Sequence, residues 1–221
     1  MKKIKLWKKI TIFICIILLI FIIINNRKFF IISSLNKKFS KYENCQNCHY
    51  LKHETTLNKR EDKIIEVYKK DNVVKSITKF NENIITEFVY PNERRTYAQI
   101  QGEKEISMQK SKQDLRIIPN YLDGLDKMSI KTIVDYIKIR IITEELDGKD
   151  CYVMYNNDAK IYFDKDTGLA IKVEMYFDEE TYIITYQYSF NEVTDKDVEE
   201  LNLSDYEVIP YSNLEKLHKI Y

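Results

Sequence analysis

From Cys48 to Phe190, apolar and polar residues alternate in short runs separated by Asn, Asp and Gly turns. Alternation of period two puts successive side chains on opposite faces, so these runs are half-buried antiparallel strands and cannot be amphipathic helices. The candidate strands are 48–57, 62–70, 73–80, 84–90 and 95–101, then 139–146, 151–156, 159–164, 169–177 and 181–190. Asp71-Asn72, Asn81 to Asn83, Asp147-Gly148, Asn157-Asp158, Asp166-Thr167-Gly168 and Asp178 to Glu180 supply tight turns, and consecutive hairpins predict a meander. In 169–177, Ile171, Val173, Met175 and Phe177 face one side and Lys172, Glu174 and Tyr176 the other, so the sheet needs a cover on its apolar face. Residues 102–114 read as a polar connection, and Pro119 and Gly124 break up 115–128. Ser129 then caps a short helix with Ile130, Ile133, Val134 and Ile137 on one face. Only four glycines and three prolines occur, so no flexible linker divides the chain into separate folding units.

Before the strands stands Ile10 to Ile24, fifteen residues without a charge. At 1.5 Å per residue the run covers roughly 22 Å of a hydrocarbon core of about 30 Å, and Leu6, Trp7 and snorkelling Lys8 and Lys9 extend it. A cleavable signal peptide needs small residues before its cleavage site, whereas Asn25, Asn26, Arg27, Lys28, Phe29, Phe30, Ile31 and Ile32 follow. Cys15 lies behind Ile12, Phe13 and Ile14, which is no lipobox. The reading is an uncleaved signal anchor. Five lysines precede the run and only Arg27 and Lys28 closely follow it, which keeps the N-terminus in the cytoplasm and the domain outside the cell membrane. The expected organisation is a basic cytoplasmic N-terminus over 1–9, a transmembrane anchor over 10–28, a juxtamembrane stalk over 29–41 and an extracytoplasmic β domain over 42–221. Within the stalk, Phe29 to Ile32 are read as an apolar collar and Asn36 to Lys41 as polar chain. Past residue 28 the chain holds 28 basic against 34 acidic residues, a balance of about −6 that repels nucleic-acid phosphates.

Residues 139–198 carry a strand, an Asp-Gly turn and Cys151-Tyr-Val-Met-Tyr. Ile161-Tyr-Phe-Asp164-Lys-Asp-Thr-Gly168-Leu-Ala-Ile-Lys-Val-Glu174 and Tyr186-Gln-Tyr-Ser-Phe-Asn-Glu-Val-Thr-Asp195-Lys-Asp197 follow. This resembles the C-terminal half of the LolA, LppX and RseB-like half-barrel superfamily, in which a strand ending in Asp-x-x-Thr-Gly precedes one of the form Leu-x-x-Lys-x-Glu. The hairpins from Cys48 to Gln101 fit the N-terminal half. The resemblance implies an α+β fold in which a strongly curved antiparallel sheet, a half-barrel, covers a few helices, with a concave apolar face that holds a lipid chain or docks a protein. Within the superfamily the chain is most similar in style to GerS-type membrane-associated proteins of spore-forming bacteria, partners of a cell-wall amidase. It differs from them in having an apolar run where they have a lipidated cysteine.

Cys45-Gln-Asn-Cys48-His49 matches the c-type haem attachment pattern, with Met108, Met154 or His218 as the second axial ligand, and a membrane-anchored monohaem cytochrome is the alternative function. Adding His53 gives a C-x2-C-x4-H half-site for zinc with no second pair of ligands. In an oxidising compartment the plainer expectation is a structural disulfide among Cys45, Cys48 and Cys151. No nucleophile elbow, P-loop, HExxH or dinucleotide turn occurs, so the expectation is a non-enzymatic protein without metal or cofactor. The concentrated non-solvation chemistry is tyrosyl: Tyr182, Tyr186 and Tyr188 fall on one side of the last long strand and form the candidate binding patch, or else pack beneath a cover. The function expected is an anchored extracytoplasmic binding protein for an envelope protein or lipid-like ligand, in sporulation or cell-wall remodelling.

Overall fold

The computed structural model of the chain describes residues 2–59, 61–90, 93–110, 117–123, 125, 138–177, 180–199 and 201–210; within the helix, the side chains of 2–6, 8, 9 and 17–25 lie outside that description. Among the described residues one α-helix, α1 (Lys2–Glu43), leads into twelve strands. These are β1 (Asn47–Thr56), β2 (Glu61–Lys70), β3 (Val73–Phe80), β4 (Asn83–Tyr90), β5 (Arg95–Ile100), β6 (Glu105–Lys110), β7 (Arg140–Leu146), β8 (Lys149–Tyr155), β9 (Ala159–Asp164), β10 (Ala170–Phe177), β11 (Glu180–Phe190) and β12 (Glu207–Pro210). All ten strands expected from alternation are present. Two short ones, β6 and β12, stand where no strand is expected, because Ile106, Ser107 and Met108 are too few to show a period. The short helix expected from Ser129 lies outside the described residues.

The strands form one open sheet in the order β12-β6-β5-β4-β3-β2-β1-β11-β10-β9-β8-β7. Every pairing is antiparallel except β12 on β6. Two hairpin series, β1 to β6 and β7 to β11, are thus joined through the β1–β11 pair, which runs from Cys48↔Phe190 to Thr56↔Tyr182. Asp147 and Gly148 both have positive φ, 51° and 75°, as a two-residue hairpin turn of the primed type demands.

Helix α1 departs most from expectation. The segment read as collar and stalk, 29–41, is helical throughout, and Ile32, Leu35 and Phe39 are buried at 0%, 1% and 3% exposure. Spaced by three and four residues, they make one apolar stripe that lies on the concave face from β8 to β1. The charges of Lys37, Lys38 and Lys41 conceal that stripe when the sequence is read as a polar run. Ile32 and Leu35 pack with Leu122, Met154, Phe163 and Ala170, and Phe39 packs with Cys48, Ile118 and Leu169.

Gly168 explains how the helix comes so close. It has φ +75°, and a Cβ built there would lie 2.4 Å from the Leu35 carbonyl oxygen and 3.0 Å from the Phe39 nitrogen. Only glycine fits backbone on backbone at that point. The turn is held by the Gly168 N–H donating to the Asp164 carbonyl (2.9 Å) and the Asp166 N–H donating to Asp164 Oδ1 (2.8 Å), and Lys38 Nζ donates to the Lys165 carbonyl. The Asp-x-x-Thr-Gly turn is therefore the cradle for α1.

The convex face is also apolar. Phe88, Tyr97 and Ile106 are buried there under Leu201 and Tyr206 of the C-terminal segment. That segment is tied across the sheet by the Asn47 amide, which donates to the Val193 carbonyl (2.9 Å) while its oxygen accepts from the Val193 N–H (2.9 Å), and by Lys70 with Asp195 (2.5 Å). Among the described residues no helix is long and apolar enough to cross a membrane. Residues 17–25, the centre of the expected span, lack described side chains.

Candidate functional site

Strand β11 sends Tyr182, Ile184, Tyr186, Tyr188 and Phe190 to the concave face. The three candidate tyrosines do not form an exposed patch. Tyr186 is 5% exposed, and with Tyr188 it joins Val173, Ile184, Tyr50 and Tyr121 in one cluster beneath the cover. The rings of Phe190, Tyr188 and Tyr186 stack in sequence at 6.4 and 5.9 Å, Tyr50 lies 6.5 Å from Tyr186, and Tyr121 meets Tyr186 edge-on at 6.3 Å. The Tyr121 and Tyr186 hydroxyls are hydrogen-bonded at 2.6 Å, which satisfies two polar tips inside an apolar layer. Tyr182 stands apart at the strand's start and donates to Glu180, which pairs with Lys59 at 2.7 Å. Burial raises the Tyr50 hydroxyl pKa to about 12, and burial with neighbouring tyrosines pushes those of Tyr186 and Tyr188 well above the ordinary range. Tyr50 and Tyr121 escape a sequence reading because only the β1–β11 register brings the first beside Tyr188.

Beside this cluster the concave face keeps a cavity of about 80 Å³ among Tyr121, Leu125, Ile139, Met154, Ile161 and Phe163. Small-molecule sites occupy roughly 300–1,000 Å³, so this cavity lies well below that range.

The cysteine motif does not fit a haem. Strand β1 begins at Asn47, so Cys48 and His49 point to opposite faces. Cys48 is buried against Phe39 and Leu169, and burial pushes its thiol up to about 12. His49 lies on the convex face, stacked on Tyr68 at 4.6 Å with Nε2 3.2 Å from Glu66 Oε1. A helical C-x-x-C-H places both sulfurs and the imidazole toward one porphyrin, and a strand cannot. Nor does His53, which faces Asp62 at 3.5 Å on the convex side, join Cys48 in a metal site. Among the described residues no group of three or more His, Cys, Asp or Glu side chains could hold a metal. Cys45, Cys48 and Cys151, the candidates for a disulfide, are free thiols in the structure; Cys45 Sγ donates to the Asn47 carbonyl at 3.0 Å, and Cys151 sits in a separate cluster.

A serine, histidine and glutamate meet on the convex face, which no sequence spacing announces. Ser189 Oγ lies 3.4 Å from His49 Nδ1, and Glu66 Oε1 also accepts from the Tyr68 hydroxyl at 2.6 Å. The order resembles a nucleophile, base and orienting acid. Here the hydroxyl contact is long, and the local N–H groups are spent in the β11–β1–β2 ladder, leaving no donors for an oxyanion. The arrangement binds three strands and does not build a reaction site.

On the concave side α1 lies across β8 to β11, and the convex side of the C-terminal half carries a buried layer of its own. Cys151, Val153, Tyr162 and Ile171 form an outer apolar layer packed with Leu146. Lys160 and Lys172 lie over the Tyr162 ring at 4.6 and 5.4 Å and pair with Glu144 (3.1 Å) and Glu174 (2.8 Å). At the irregularity between Ala170 and Lys172 a groove of about 500 Å³ opens, with Leu146 and Ile171 in its floor and Asp147, Lys149, Lys172 and Gln187 around it. A bulge of this kind bends its strand and re-aims side chains.

The geometry defines a scaffold class: an open, curved α+β sheet plugged by its own helix, with apolar surface on both faces. No protein-family model matches the chain, and no curated protein does. Solved structures do. An uncharacterized conserved protein from Thermus thermophilus superposes over 80% of this chain and 98% of its own, at 7% identity and a TM-score of 0.50, and shares the fold. A putative outer membrane lipoprotein-sorting protein domain from Vibrio parahaemolyticus is found over 75% of this chain and 94% of its own, at 11% identity and a TM-score of 0.31. MucB from the Pseudomonas aeruginosa MucA/MucB complex is found over 80% of this chain and 63% of its own, at 12% identity and a TM-score of 0.38. The finer GerS-type likeness has no counterpart among these three.

Proposed function

We propose that this chain is a membrane-anchored, non-enzymatic binding protein that docks an envelope protein on the convex face of its C-terminal strands. One observation carries this reading: among the described residues α1 lies on the concave face from β8 to β1 beside a cavity of about 80 Å³, whereas the convex groove beside Ile171 offers about 500 Å³. Leu146 and Ile171 in the floor, with Lys149, Lys172 and Asp147 around them, have the apolar centre and polar rim of a protein interface. A lipid-like ligand is the lesser reading, since on the concave face from β8 to β1 an acyl chain would have to displace α1. The run Ile10 to Ile24 supplies the anchor, with the domain outside the cell membrane. A sporulation or cell-wall setting rests on the GerS-type resemblance alone.

The test is a photo-reactive amino acid placed singly at Lys149, Gln187 or, as a control on a distant turn, Glu103, in the full chain within its native membrane. Adducts of one discrete mass at 149 and 187 but not at 103 are expected. Adducts absent from both groove positions, together with lipid co-purifying in stoichiometric amount, would replace the protein-docking reading with the lipid one.

A further inference from the structure

Helix α1 crosses the sheet transversely. Going from its C-terminus backward, Tyr42 meets Phe190 of β11, Phe39 meets Leu169, the Leu35 carbonyl meets Gly168, and Ile32 packs with Phe163 of β9. Ile31 and Ser34 then share a groove with Tyr152 of β8. Neighbouring strands lie about 4.8 Å apart, so only β7 separates this point from the sheet's edge, and the helix leaves the domain past β7. Beside its exit the groove opens to about 510 Å³, lined by Asn26, Arg27, Phe30, Ile31, Ser34 and Tyr152. Phe30 is 70% exposed and Arg27 is exposed. An exposed phenyl ring thus stands beside a cationic side chain where the helix leaves the sheet.

We infer that this groove is a phospholipid-docking surface: Arg27 meets a headgroup phosphate while Phe30, Ile31 and Tyr152 sit in the interfacial layer of the bilayer that α1 enters. The inference rests on reading Ile10 to Ile24 as the span. Continuity of the helix fixes the level, because α1 is unbroken from Lys2 to Glu43. A hydrocarbon core of about 30 Å takes roughly twenty helical residues, so a span centred on the apolar run ends near Asn26. Arg27 then stands at the phosphates, and Phe30 about 4.5 Å farther out, still inside the headgroup layer. Arg27 supplies the charge complementary to a phosphate and can grip it with two N–H groups. The anchor and the domain meet without a flexible joint, so the β7 edge is held down against the membrane and the convex groove beside Ile171 is presented at a fixed orientation.

The experiment uses the full chain carrying Trp7→Phe and Phe30→Trp, which leaves one tryptophan at the groove, reconstituted into phosphatidylcholine and phosphatidylglycerol vesicles with or without brominated acyl chains. Expected are a blue-shifted emission and a loss of intensity in brominated vesicles, greater with bromine near the headgroup end than at mid-chain. Adding Arg27→Glu should weaken the quenching, more so in vesicles rich in phosphatidylglycerol. Phe30 is so exposed that tryptophan there leaves packing intact, and an unchanged circular dichroism spectrum verifies this. A protein that floats with the vesicles while its tryptophan emits as in water and escapes quenching overturns the groove's role and spares the anchor. Failure to float overturns both.

Discussion

Tyr186 shows at the level of one residue what the fold has done with its aromatic content. Its ring is an interior ring and its hydroxyl has a single designed neighbour, Tyr121, at 2.6 Å. Removing the hydroxyl in Tyr186→Phe should cost about 1 kcal/mol, the usual net worth of a hydrogen bond. A sharper signature lies in alkali. Tyr50, Tyr121, Tyr186 and Tyr188 are all held protonated above their ordinary range by burial, and in the unfolded chain they ionise near pH 10. A raised folded-state pKa gives stability that is fully present below the unfolded value and is lost as pH rises toward the folded one. Each such tyrosine therefore removes about 1.4 kcal/mol per pH unit above pH 10, in the case of Tyr50 until about 12. The Cys48 thiol, also raised to about 12, begins the same loss earlier, from near pH 9. Urea midpoints followed by circular dichroism should be flat from pH 7 to about 8 and fall with increasing steepness above pH 10. Tyr186→Phe should start lower and fall less steeply, by one proton's worth. Equal slopes in the two proteins would mean that Tyr186 titrates natively as it does when unfolded.

Among the elements, α1 is one continuous rod with a role that the sequence hides. Its C-terminal third is core. Complete burial of a Leu, Ile or Phe side chain contributes roughly 1.5–3 kcal/mol, so Ile32, Leu35 and Phe39 together contribute about as much as the whole net stability of an ordinary domain. Truncations should divide sharply. A chain starting at Asn26 should fold and unfold cooperatively, whereas one starting at Tyr42 should be insoluble or show no cooperative transition, as read by circular dichroism during urea titration. A cooperative domain from residue 42 onward would mean that α1 is an accessory. Strand placement, by contrast, was legible almost to the residue, because Asp71-Asn72, Asp147-Gly148 and Asp166-Thr167-Gly168 carry their turn chemistry locally. What was not legible depends on sequence-distant pairing. The β1–β11 register decides that Tyr186 is interior, and the backbone contact of Gly168 with Leu35 decides that residues 29–41 are no stalk.

Taken whole, the molecule is a sheet buried on both faces and skewered by one helix, and its orientation can be tested through its four cysteines. Cys15 lies within the apolar run, Cys45 is partly exposed just beyond the other end of α1, and Cys48 and Cys151 are buried. From Ile24 to Glu43 the helix climbs about 28 Å, which sets Cys45 well clear of any bilayer that holds Cys15. If the N-terminus is cytoplasmic, as proposed from the lysines before Ile10, a membrane-impermeant maleimide applied to intact cells should label one site. Cys45→Ser should abolish the labelling, Cys15→Ser should leave it unchanged, and permeabilising the cells should add nothing. Prior reduction is an informative variable, because Cys45 and Cys48 are close enough in the fold to interact; labelling that requires a reductant identifies a disulfide between them, as an oxidising compartment favours. Labelling of Cys45 that appears only after permeabilisation would invert the topology. It would also move the convex groove, and any protein that docks there, to the cytoplasmic side.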